Sequence, residues 1–427
     1  MRVFFTNLGC KLNQAEVDAL SRRFVAAGHT LAPRLAEADL HVVNSCTVTH
    51  LAARDSRKAA RRGRRSSANL RTVVTGCYAS AEPAEAARLA GVDLVVANDR
   101  KDRLLELVHE TFPESRPAPV QLPVPYVPIE IGRARALVKI EDGCNMRCAF
   151  CIIPSTRGRQ RSRPLEDVVA EVRALCAGGH REVVVTGVQI SEYDDQGRRL
   201  FDLVAALLER TDVFRLRLTS IAPWKFDPRL LELWSDRRLC RHIHMSLQSG
   251  STSTLRRMRR PYTAAGYAAL AERLREAIPD LALTTDVIVG FPGETAREFA
   301  ESLAFVEQLE FARPHLFSYS PRAGTDAANL PDQVPPEEKK ARMAAMQSAA
   351  RASDHAFRLR QVGKSVEVLW EDRKAGRWSG LSDNYIRVLA DTPRDLAGTV
   401  SRVEIQRLVE GGAEGRLQGA GENSPAC

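Results

Sequence analysis

In the first part of the chain, segments with the hydrophobic pattern of a strand are followed by segments with the pattern of a helix. Apolar, β-branched runs are each followed by a stretch with helical spacing such as AEVDALSRRFVAAG, a pattern that predicts repeated βα units and a parallel sheet. Three of these runs end in a turn residue and a cysteine: VFFTNLGC at Cys10, LHVVNSC at Cys46 and RTVVTGC at Cys77. We therefore predict an α/β domain over residues 1–112.

The middle of the chain repeats the same alternation with longer units. Helical periodicity occurs in LFDLVAALLER, AAGYAALAERLREAI and REFAESLAFVEQLE. The strand-like runs between them are ALVKI, REVVVTGVQ, FRLRLTSI, HIHMSLQSG, LALTTDVIVGFPGE and ARPHLFSYSP. About six βα units are too few for a closed eight-stranded barrel, so residues 131–358 are predicted to form a partial (β/α)6 barrel.

After a long helix, EEKKARMAAMQSAARASDHAFRLRQVG, the pattern changes to short strands separated by Gly, Asn and Asp turns. Such a pattern predicts a small all-β barrel over residues 359–415. The glycine-rich end, GGAEGRLQGAGENSPAC, predicts a disordered tail, placed at residues 416–427. The segment FPESRPAPVQLPVPYVP has six prolines and no period, which indicates a semi-rigid linker over residues 113–130.

Length and charge narrow the class of protein. A chain of 427 residues is expected to hold two or three domains. The net charge of +9 favours a polyanionic partner, nucleic acid first.

The start, MRVFFTNLGC, lacks the features of a signal peptide, and no segment has the apolar length of a membrane span, so we expect a cytoplasmic protein with no membrane partner. Nine cysteines in a reducing compartment favour metal binding over disulfides.

The strand ALVKI leads into a loop with Cys144, Cys148 and Cys151 at CxxxCxxC spacing. A [4Fe–4S] cluster normally takes four cysteines, so three leave one iron open to a small molecule. A zinc site is the first alternative, but zinc needs a fourth nearby Cys or His, and His109 and His180 are distant in sequence. A disulfide cluster is the second, and an odd number of thiols disfavours it.

Cys10, Cys46 and Cys77 each follow a strand of the predicted parallel sheet. The carboxyl ends of such strands share one edge, so these cysteines are expected to converge. Their odd number and repeated position favour a second iron–sulfur cluster, and three buried structural cysteines are the alternative. The other three cysteines are predicted to be structural or incidental: Cys176, Cys240 and Cys427.

Basic and aromatic residues supply candidate contacts to nucleic acid. RKAARRGRR, residues 57–65, carries six basic residues that form either a solvated helix face or a contact to RNA phosphates. Two further sets would position a phosphate backbone if they flank the active site, or form ordinary surface charge: Arg157, Arg159, Arg161 and Arg163, and RRMRRPY. Trp370, Trp378 and Tyr385 are expected either to stack on bases or to fill the small barrel's core.

The cysteine loop, with Phe150 just before its third cysteine, resembles the radical S-adenosylmethionine (SAM) enzymes. This resemblance implies that Cys144, Cys148 and Cys151 are catalytic and hold the cluster that binds SAM and cleaves it to a 5′-deoxyadenosyl radical. It also implies a partial barrel, with SAM contacts from Phe150 and from residues at the strand ends. The expected SAM contacts are Phe150, Gly187, Gln189, Ser246, Gln248 and Asp286.

The longer segment DGCNMRCAFCIIPSTRGRQRSRP resembles the methylthiotransferase branch of that superfamily. GCKLNQAE, NSCTVTHLAARDSRKAARR and TGCYA resemble its amino-terminal domain, which implies an auxiliary [4Fe–4S] cluster on Cys10, Cys46 and Cys77. SGLSDNYIRVLAD with LAGTVSRVEI resembles the RNA-binding TRAM domain. Together they imply two [4Fe–4S] clusters, SAM, a tRNA substrate, a sulfur source, and an electron donor such as flavodoxin or ferredoxin.

The substrate is inferred from the residues around Cys10. GCKLNQ most resembles the branch that adds methylthio to carbon 2 of threonylcarbamoyladenosine at tRNA position 37. The isopentenyladenosine branch tends to show GCQMN and the ribosomal-protein branch GCPKN, and Lys11 and Leu12 match neither. Those two substrates remain alternatives within the family. Outside it, the alternatives are a radical-SAM enzyme of different outcome and a non-catalytic iron–sulfur RNA-binding or electron-transfer protein.

Overall fold

The computed structural model describes residues 1–66, 69–117 and 134–418, which form two compact units. The first unit contains residues 1–117 of this set together with 141–161 and 320–328. The second contains residues 134–140, 162–319 and 329–418. The loop with Cys144, Cys148 and Cys151 therefore belongs to the same compact unit as Cys10, Cys46 and Cys77.

The strands are numbered in chain order. They are β1 Arg2–Asn7, β2 Thr30–Leu31, β3 Leu40–Ser45, β4 Arg71–Gly76, β5 Leu94–Val96, β6 Arg135–Lys139, β7 Glu141–Asp142, β8 Arg161–Ser162, β9 Glu182–Thr186, β10 Asp194–Asp195, β11 Arg198–Arg199, β12 Arg215–Leu218, β13 His242–His244, β14 Ala282–Val289, β15 Arg313–Ser318, β16 Ser365–Lys374, β17 Arg377–Ser382, β18 Arg387–Ala390, β19 Val400–Val409 and β20 Gly412–Leu417.

The helices follow the same scheme. They are α1 Lys11–Ala26, α2 His50–Ser66, α3 Cys77–Ala81, α4 Pro83–Arg88, α5 Leu104–Thr111, α6 Ile153–Arg157, α7 Leu165–Ala177, α8 Leu200–Arg210, α9 Thr252–Arg257, α10 Ala264–Ala277, α11 Ala296–Leu309 and α12 Pro336–Leu359. Short 3₁₀ helices span Leu35–Glu37, Asn98–Arg103, Pro113–Ser115, Ile190–Glu192, Pro223–Lys225, Pro228–Ser235 and Asp326–Asn329.

The first unit is built on a five-stranded parallel sheet with strand order β2-β1-β3-β4-β5. Alternate residues of a strand point to opposite faces, and here both faces are apolar. Val42 and Val73 pack in one core cluster, and Val43 and Val74 pack in the other. Burial on both faces is typical of parallel sheets covered by helices, and the predicted α/β domain is confirmed.

The second unit contains six parallel strands of an open barrel. Three form a sheet of order β12-β9-β6 and three a sheet of order β13-β14-β15. A parallel bridge between Ile221 and Met245 connects the two sheets. The run Glu182–Thr186 is fully buried, as expected for a strand covered on both sides. The predicted partial six-stranded barrel is confirmed.

The last five strands form a closed barrel of order β16-β17-β18-β20-β19, which confirms the predicted small all-β barrel. Trp370 and Trp378 are 0% and 5% exposed and lie in its core. Of the two roles weighed for these indoles, stacking on RNA bases is therefore wrong for both, and core packing is right. Tyr385 is half-buried and stacks on His242, with ring centroids 4.1 Å apart.

The glycine-rich stretch after Gly411 does not leave the barrel, contrary to the prediction of a disordered tail from that point. Residues Gly412–Leu417 form β20, which pairs with β18 and β19 and closes the barrel. The predicted tail boundary at residue 416 therefore falls within this strand. A Cβ atom on Gly415 would lie 2.3 Å from the Val403 side chain. The glycines reflect close packing in a narrow barrel, which composition alone does not distinguish from disorder.

Buried charges connect the two barrels of the second unit. Glu182 of β9 contacts Arg215 and Arg217 of β12 at 2.7 Å, and all three side chains are at most 1% exposed. Both arginines also donate to carbonyl oxygens of the small barrel: Arg215 to Leu381, and Arg217 to Ser382 and Asp383. The Glu182 carboxylate thus neutralises part of the charge of two guanidinium groups. The same guanidiniums donate hydrogen bonds to carbonyl oxygens at the end of β17.

Parts of two predicted segments lie outside the described residues. Residues 118–130 of the predicted linker are among them, whereas residues 113–115 form a short 3₁₀ helix. Residues 419–427, with Cys427, also lie outside. Among the helices that the structure does describe, none combines the length and the apolar character needed to cross a membrane.

Candidate functional site

The first candidate site lies where three neighbouring strands of the parallel sheet end. Strands β1, β3 and β4 are adjacent, and their carboxyl ends share one edge. Cys10 follows β1 by three residues, and Cys46 and Cys77 come directly after β3 and β4. All three cysteines are free thiols. The structure thus brings the predicted triplet to one edge of the sheet.

Gly9 shows how closely the chain approaches at this edge. Its φ of +100° lies in a region that side chains disfavour, and a Cβ atom there would lie 2.8 Å from Cys46 Sγ. Glycine therefore lets the segment that carries Cys10 pass directly against Cys46. Any side chain at this position would collide with Cys46.

Two asparagines hold the cysteine-bearing loops. Asn13 donates from Nδ2 to the carbonyl oxygens of Leu8 and Ser45, at 2.7 and 3.1 Å, and so ties the residues before Cys10 to the residue before Cys46. Asn98 Nδ2 lies 3.8 Å from Cys77 Sγ and donates to Thr156 O of α6 at 2.9 Å. These hydrogen bonds hold the Cys10 segment against the end of β3 and the residue beside Cys77 against α6.

The three thiols share one electrostatic environment. Cys46 is buried, and its burial raises the pKa of its thiol to about 11, with smaller contributions from Cys77 and Cys10. Cys10 keeps exposed surface, yet the surrounding protein desolvates its thiol and raises its pKa, while Arg157 opposes this shift. The neutral thiol is therefore favoured at Cys46 and at Cys10 until a metal displaces the proton.

Three cysteine thiols that follow adjacent strands are a donor set that suits an iron–sulfur cluster. Within the described ranges, no three His, Cys, Asp or Glu side chains are grouped closely enough to hold one metal ion. A single ion requires sulfurs about 2.3 Å from one centre, whereas a cubane binds one thiolate per iron and spaces its ligands more widely. Three free thiols at one edge of the sheet can each supply a thiolate to one iron of such a cluster.

The second candidate site is the loop from Cys144 to Cys151. All three of its cysteines are half-buried. The loop is held by backbone hydrogen bonds from Cys144 N to Gly158 O and from Cys151 N to Cys148 O, both 3.1 Å, and Met146 N lies 3.4 Å from Cys144 Sγ. Ala327 N also donates to Ala149 O at 2.8 Å. The sulfurs thus lie on a short loop with solvent access.

Arg157 is one of the predicted phosphate contacts, but it is 3% exposed and cannot contact RNA as placed. Its guanidinium donates to Glu16 at 2.8 Å, to Asp142 at 2.8 Å and to Asn13 Oδ1 at 2.6 Å. Lys101, also buried, donates to the other Glu16 oxygen at 2.7 Å. Two cations and two carboxylates form a buried network beside the first triplet.

The sequence did not single out Glu16, Asn13 or Lys101. Asn13 and Glu16 lie within the motif GCKLNQAE, three and six residues after Cys10, so on α1 they fall on one side of the helix. Their polar side chains at buried positions are the signal that could have identified them. Lys101 lies in a charged 3₁₀ segment, NDRKDR, and nothing local separates it from its neighbours.

The expected SAM contacts lie in both units. Phe150 is half-buried in the cysteine loop. In the barrel, buried Gly187 and half-buried Gln189 follow β9, and half-buried Ser246 and buried Gln248 follow β13, so these four lie at the carboxyl edge.

Asp286 lies within β14 rather than after it. Its carboxylate pairs with His244 Nε2 of β13 at 3.2 Å, and His244 is a polar barrel residue that the motifs did not indicate. Gln248 adopts φ +70° and pairs through its backbone with Asp286 and Ile288 at 2.8 Å.

Basic and aromatic side chains also form two exposed or half-buried surfaces. On α2, Lys58, Arg61 and Arg62 are exposed. In the second unit, the rings of Trp224 and Tyr262 are stacked with centroids 5.5 Å apart at 9°, and the Arg260 guanidinium lies 4.5 Å from the Trp224 ring. A planar stack with a cation suits a nucleobase.

Two known protein families match different parts of the chain. Residues 138–306 match the family described as the radical SAM superfamily, and residues 2–97 match one described as uncharacterized protein family UPF0004. Among solved structures, the chain is similar to TsrM of Kitasatospora setae, a radical SAM methyltransferase. The TM-score is 0.55 at 17% identity, covering 74% of this chain and 73% of that one. At that identity the likeness concerns the fold alone.

Curated relatives match the chain along most of its length. It is 34% identical to "Threonylcarbamoyladenosine tRNA methylthiotransferase MtaB" of Bacillus subtilis, covering 94% of this chain and 93% of the relative. It is also 34% identical to the protein of the same name from Aquifex aeolicus, over 95% and 100%, and to "tRNA-2-methylthio-N(6)-dimethylallyladenosine synthase" of Akkermansia muciniphila, over 95% and 96%. The chain therefore belongs to the methylthiotransferase family of radical-SAM enzymes.

Proposed function

We propose that this enzyme adds a methylthio group to carbon 2 of threonylcarbamoyladenosine at position 37 of tRNA. One observation carries the proposal: the chain brings two separate cysteine triplets into one compact unit, with Cys10, Cys46 and Cys77 at adjacent strand ends and Cys144, Cys148 and Cys151 on a single loop. A reaction that both generates a radical and delivers sulfur calls for two such sites.

Each triplet has its own role in this proposal. Enzymes of the radical-SAM superfamily use a [4Fe–4S] cluster and SAM, and the bound cluster supplies the electron that cleaves SAM. Cys144, Cys148 and Cys151 would hold that cluster and leave one iron for SAM. Cys10, Cys46 and Cys77 would hold a second, auxiliary [4Fe–4S] cluster at which sulfur is presented to the substrate.

The chain's other residues would bind and orient the small molecule. We assign SAM contacts to Phe150 and to Gly187, Gln189, Ser246, Gln248 and Asp286, because polar groups and glycines at strand ends can hydrogen-bond a ribose and let the backbone approach closely. The Asp286 carboxylate is oriented by His244. Barrel walls that exclude water would protect a reactive carbon radical.

A tRNA substrate is supported by charge and by the names of the relatives. The net charge of +9 suits a polyanion, and exposed Lys58, Arg61 and Arg62 form a basic helix face. The relatives named above modify adenosines in tRNA according to their names. We also assign RNA binding to the small barrel, through its surface rather than through its buried tryptophans. Turnover would further require a sulfur source and a reductant such as flavodoxin or ferredoxin.

The choice of nucleoside depends on the residues beside Cys10. Identity is 34% both to MtaB proteins and to dimethylallyladenosine synthases, so overall similarity does not separate the two substrates. The motif GCKLNQ favours threonylcarbamoyladenosine, and isopentenyladenosine is the second candidate.

Nucleoside mass spectrometry of digested tRNA tests the proposal. A host that lacks its own methylthiotransferases would receive the wild-type gene or a Cys144→Ala variant. We expect methylthio-threonylcarbamoyladenosine with the wild-type gene and none with the variant. A methylthio group on isopentenyladenosine instead would keep the reaction and refute the substrate. No change in any tRNA nucleoside would refute the proposal.

A further inference from the structure

The Arg157 side chain extends from the region of the cysteine loop to two residues that surround the other triplet. It ends helix α6, six residues after Cys151. Its guanidinium contacts Asn13 and Glu16 on α1, which begins directly after Cys10. A residue that belongs to one cysteine motif in sequence therefore forms part of the surroundings of the other in space.

The contacts of Arg157 define its orientation tightly. Two nitrogens of the guanidinium donate to both oxygens of Glu16, at 2.8 and 3.3 Å, and further donations go to Asp142 and Asn13. Its side chain is 1% exposed. Arginine, unlike lysine, can donate two parallel hydrogen bonds from a rigid planar group. The four hydrogen bonds of Arg157 therefore fix the position of its positive charge.

The same contacts place the charge beside the first triplet. Asn13, which accepts from Arg157, is also the residue whose Nδ2 ties Leu8 to Ser45 and whose Oδ1 lies 3.9 Å from Cys10 Sγ. A buried cation acts over a longer range than one in water, because little solvent screens it.

We propose that Arg157 is a positioning residue that sets the reduction potential of the auxiliary cluster, an inference that rests on the proposed function of Cys10, Cys46 and Cys77. Adding an electron to a cluster makes it more negative, and a nearby buried cation stabilises the reduced form. Glu16 acts in the opposite direction, because it partly neutralises Arg157 and Lys101. Arg157 would thus raise the reduction potential of the auxiliary cluster, and Glu16 would lower it.

The test uses full-length protein in which Cys144, Cys148 and Cys151 are replaced by alanine, so that only the auxiliary cluster contributes a signal. After anaerobic reconstitution with iron and sulfide, iron content is measured and the potential is followed by electron paramagnetic resonance during a redox titration. Arg157→Gln and Glu16→Gln each change one formal charge, in opposite senses. Arg159→Gln removes the same charge as Arg157→Gln from an exposed position two residues away.

We expect Arg157→Gln to lower the ratio of reduced to oxidised cluster at a fixed potential by at least tenfold, which is about 59 mV for one electron. Glu16→Gln should raise the ratio, Arg157→Lys should keep it near the parent value, and Arg159→Gln should not change it. If Arg157→Gln fails to bind iron, the rise in Glu16→Gln carries the test.

Two results would overturn the inference in different ways. Loaded variants with the parent's potential would refute the role of Arg157 and leave the proposed function intact. A parent protein that binds no iron in this background would refute the auxiliary site itself, and the inference with it. A shift of the same sign in Arg157→Gln and Glu16→Gln would indicate a general disturbance of the site, and would also refute a charge-based role.

Discussion

The Arg157 guanidinium donates to the Glu16 carboxylate at 2.8 Å although 141 positions separate the two residues. Both side chains are nearly inaccessible to solvent. A whole buried ion pair can often be replaced by apolar residues without loss of stability, because desolvation of the charges offsets their attraction, although removal of one partner alone is costly. Its presence between two cysteine motifs therefore suggests a functional reason, and it connects the α6 turn after one motif to the helix that follows Cys10.

The two cysteine triplets should be separable by experiment. In Cys46→Ala, we expect about half of the wild-type iron and continued formation of 5′-deoxyadenosine from SAM, but no methylthio product, because only the auxiliary site is damaged. In Cys144→Ala, 5′-deoxyadenosine should disappear. Iron analysis and chromatography of the SAM products measure both effects.

Cys176→Ala is the matched control for these variants, since Cys176 is a half-buried thiol on α7 outside both motifs. It should retain wild-type iron content and activity. Full methylthio product from Cys46→Ala would contradict the role of the first triplet and would favour a radical-SAM reaction of different outcome.

The stacked pair of Trp224 and Tyr262 should contribute to tRNA affinity. The Tyr262 hydroxyl donates to Leu247 O at 2.6 Å and lies 3.0 Å from Ser246 O, so the stack is anchored to the loop after β13. Replacing Trp224 with alanine should weaken tRNA binding about tenfold, because stacking of one base on an aromatic ring contributes about 1–3 kcal/mol. Gel-shift titration measures this affinity.

Trp224→Phe keeps an aromatic face and should restore most of the affinity. Equal tRNA affinity in Trp224→Ala and wild type would show that the stack only packs the loop.

The basic face of α2 should contribute a salt-dependent part of tRNA binding. Replacing Lys58 and Arg61 together with glutamine should weaken binding and lower the slope of affinity against salt concentration by about one per lost phosphate contact. Arg297→Gln, an exposed arginine whose side chain is 89% accessible on α11, serves as the control. An unchanged salt slope in the double variant would mean that this face is merely solvated.

Glu182 should stabilise the second unit in a pH-dependent way. Burial alone would raise its pKa, but Arg215 and Arg217 outweigh burial and hold its pKa at about 2, below its ordinary value of 4.5. The folded state therefore favours the ionised form, and this contribution, about 3 kcal/mol, is present above pH 4.5 and is lost as the pH falls toward 2. Glu182→Gln should lower the free energy of unfolding by a similar amount at pH 7.

Urea unfolding of wild type and Glu182→Gln at several pH values checks this prediction. The difference between the two proteins should shrink as the pH falls from 4.5 toward 2, because Glu182 of the unfolded wild type is protonated in this range whereas the folded protein keeps it ionised until about pH 2. Glu166→Gln, which removes an exposed carboxylate paired with Arg210, should hardly change stability. A difference that stays constant down to pH 2 would contradict the low pKa.

Much of the architecture could be predicted from local pattern. Hydrophobic period distinguishes strands such as Leu40–Ser45 from helices such as Leu200–Arg210, and a turn residue with a cysteine marks the strand ends. The predicted tail, residues 416–427, includes the end of β20, because a glycine-rich strand in a tightly packed barrel and a flexible segment have the same composition.

The sequence by itself determined the six motif cysteines, the order of the three architectures and the family resemblance, because each depends on residues close together in the chain. Only the tertiary structure decided that Arg157 is buried while Arg159 is exposed, that Trp370 fills a core, and that Lys101 joins Glu16. Burial and ion pairing depend on segments distant in sequence. The residues next to an arginine in the sequence do not indicate which carboxylate it will pair with in the fold. An arginine that pairs with a buried carboxylate can itself be buried, whereas one without such a partner stays at the surface.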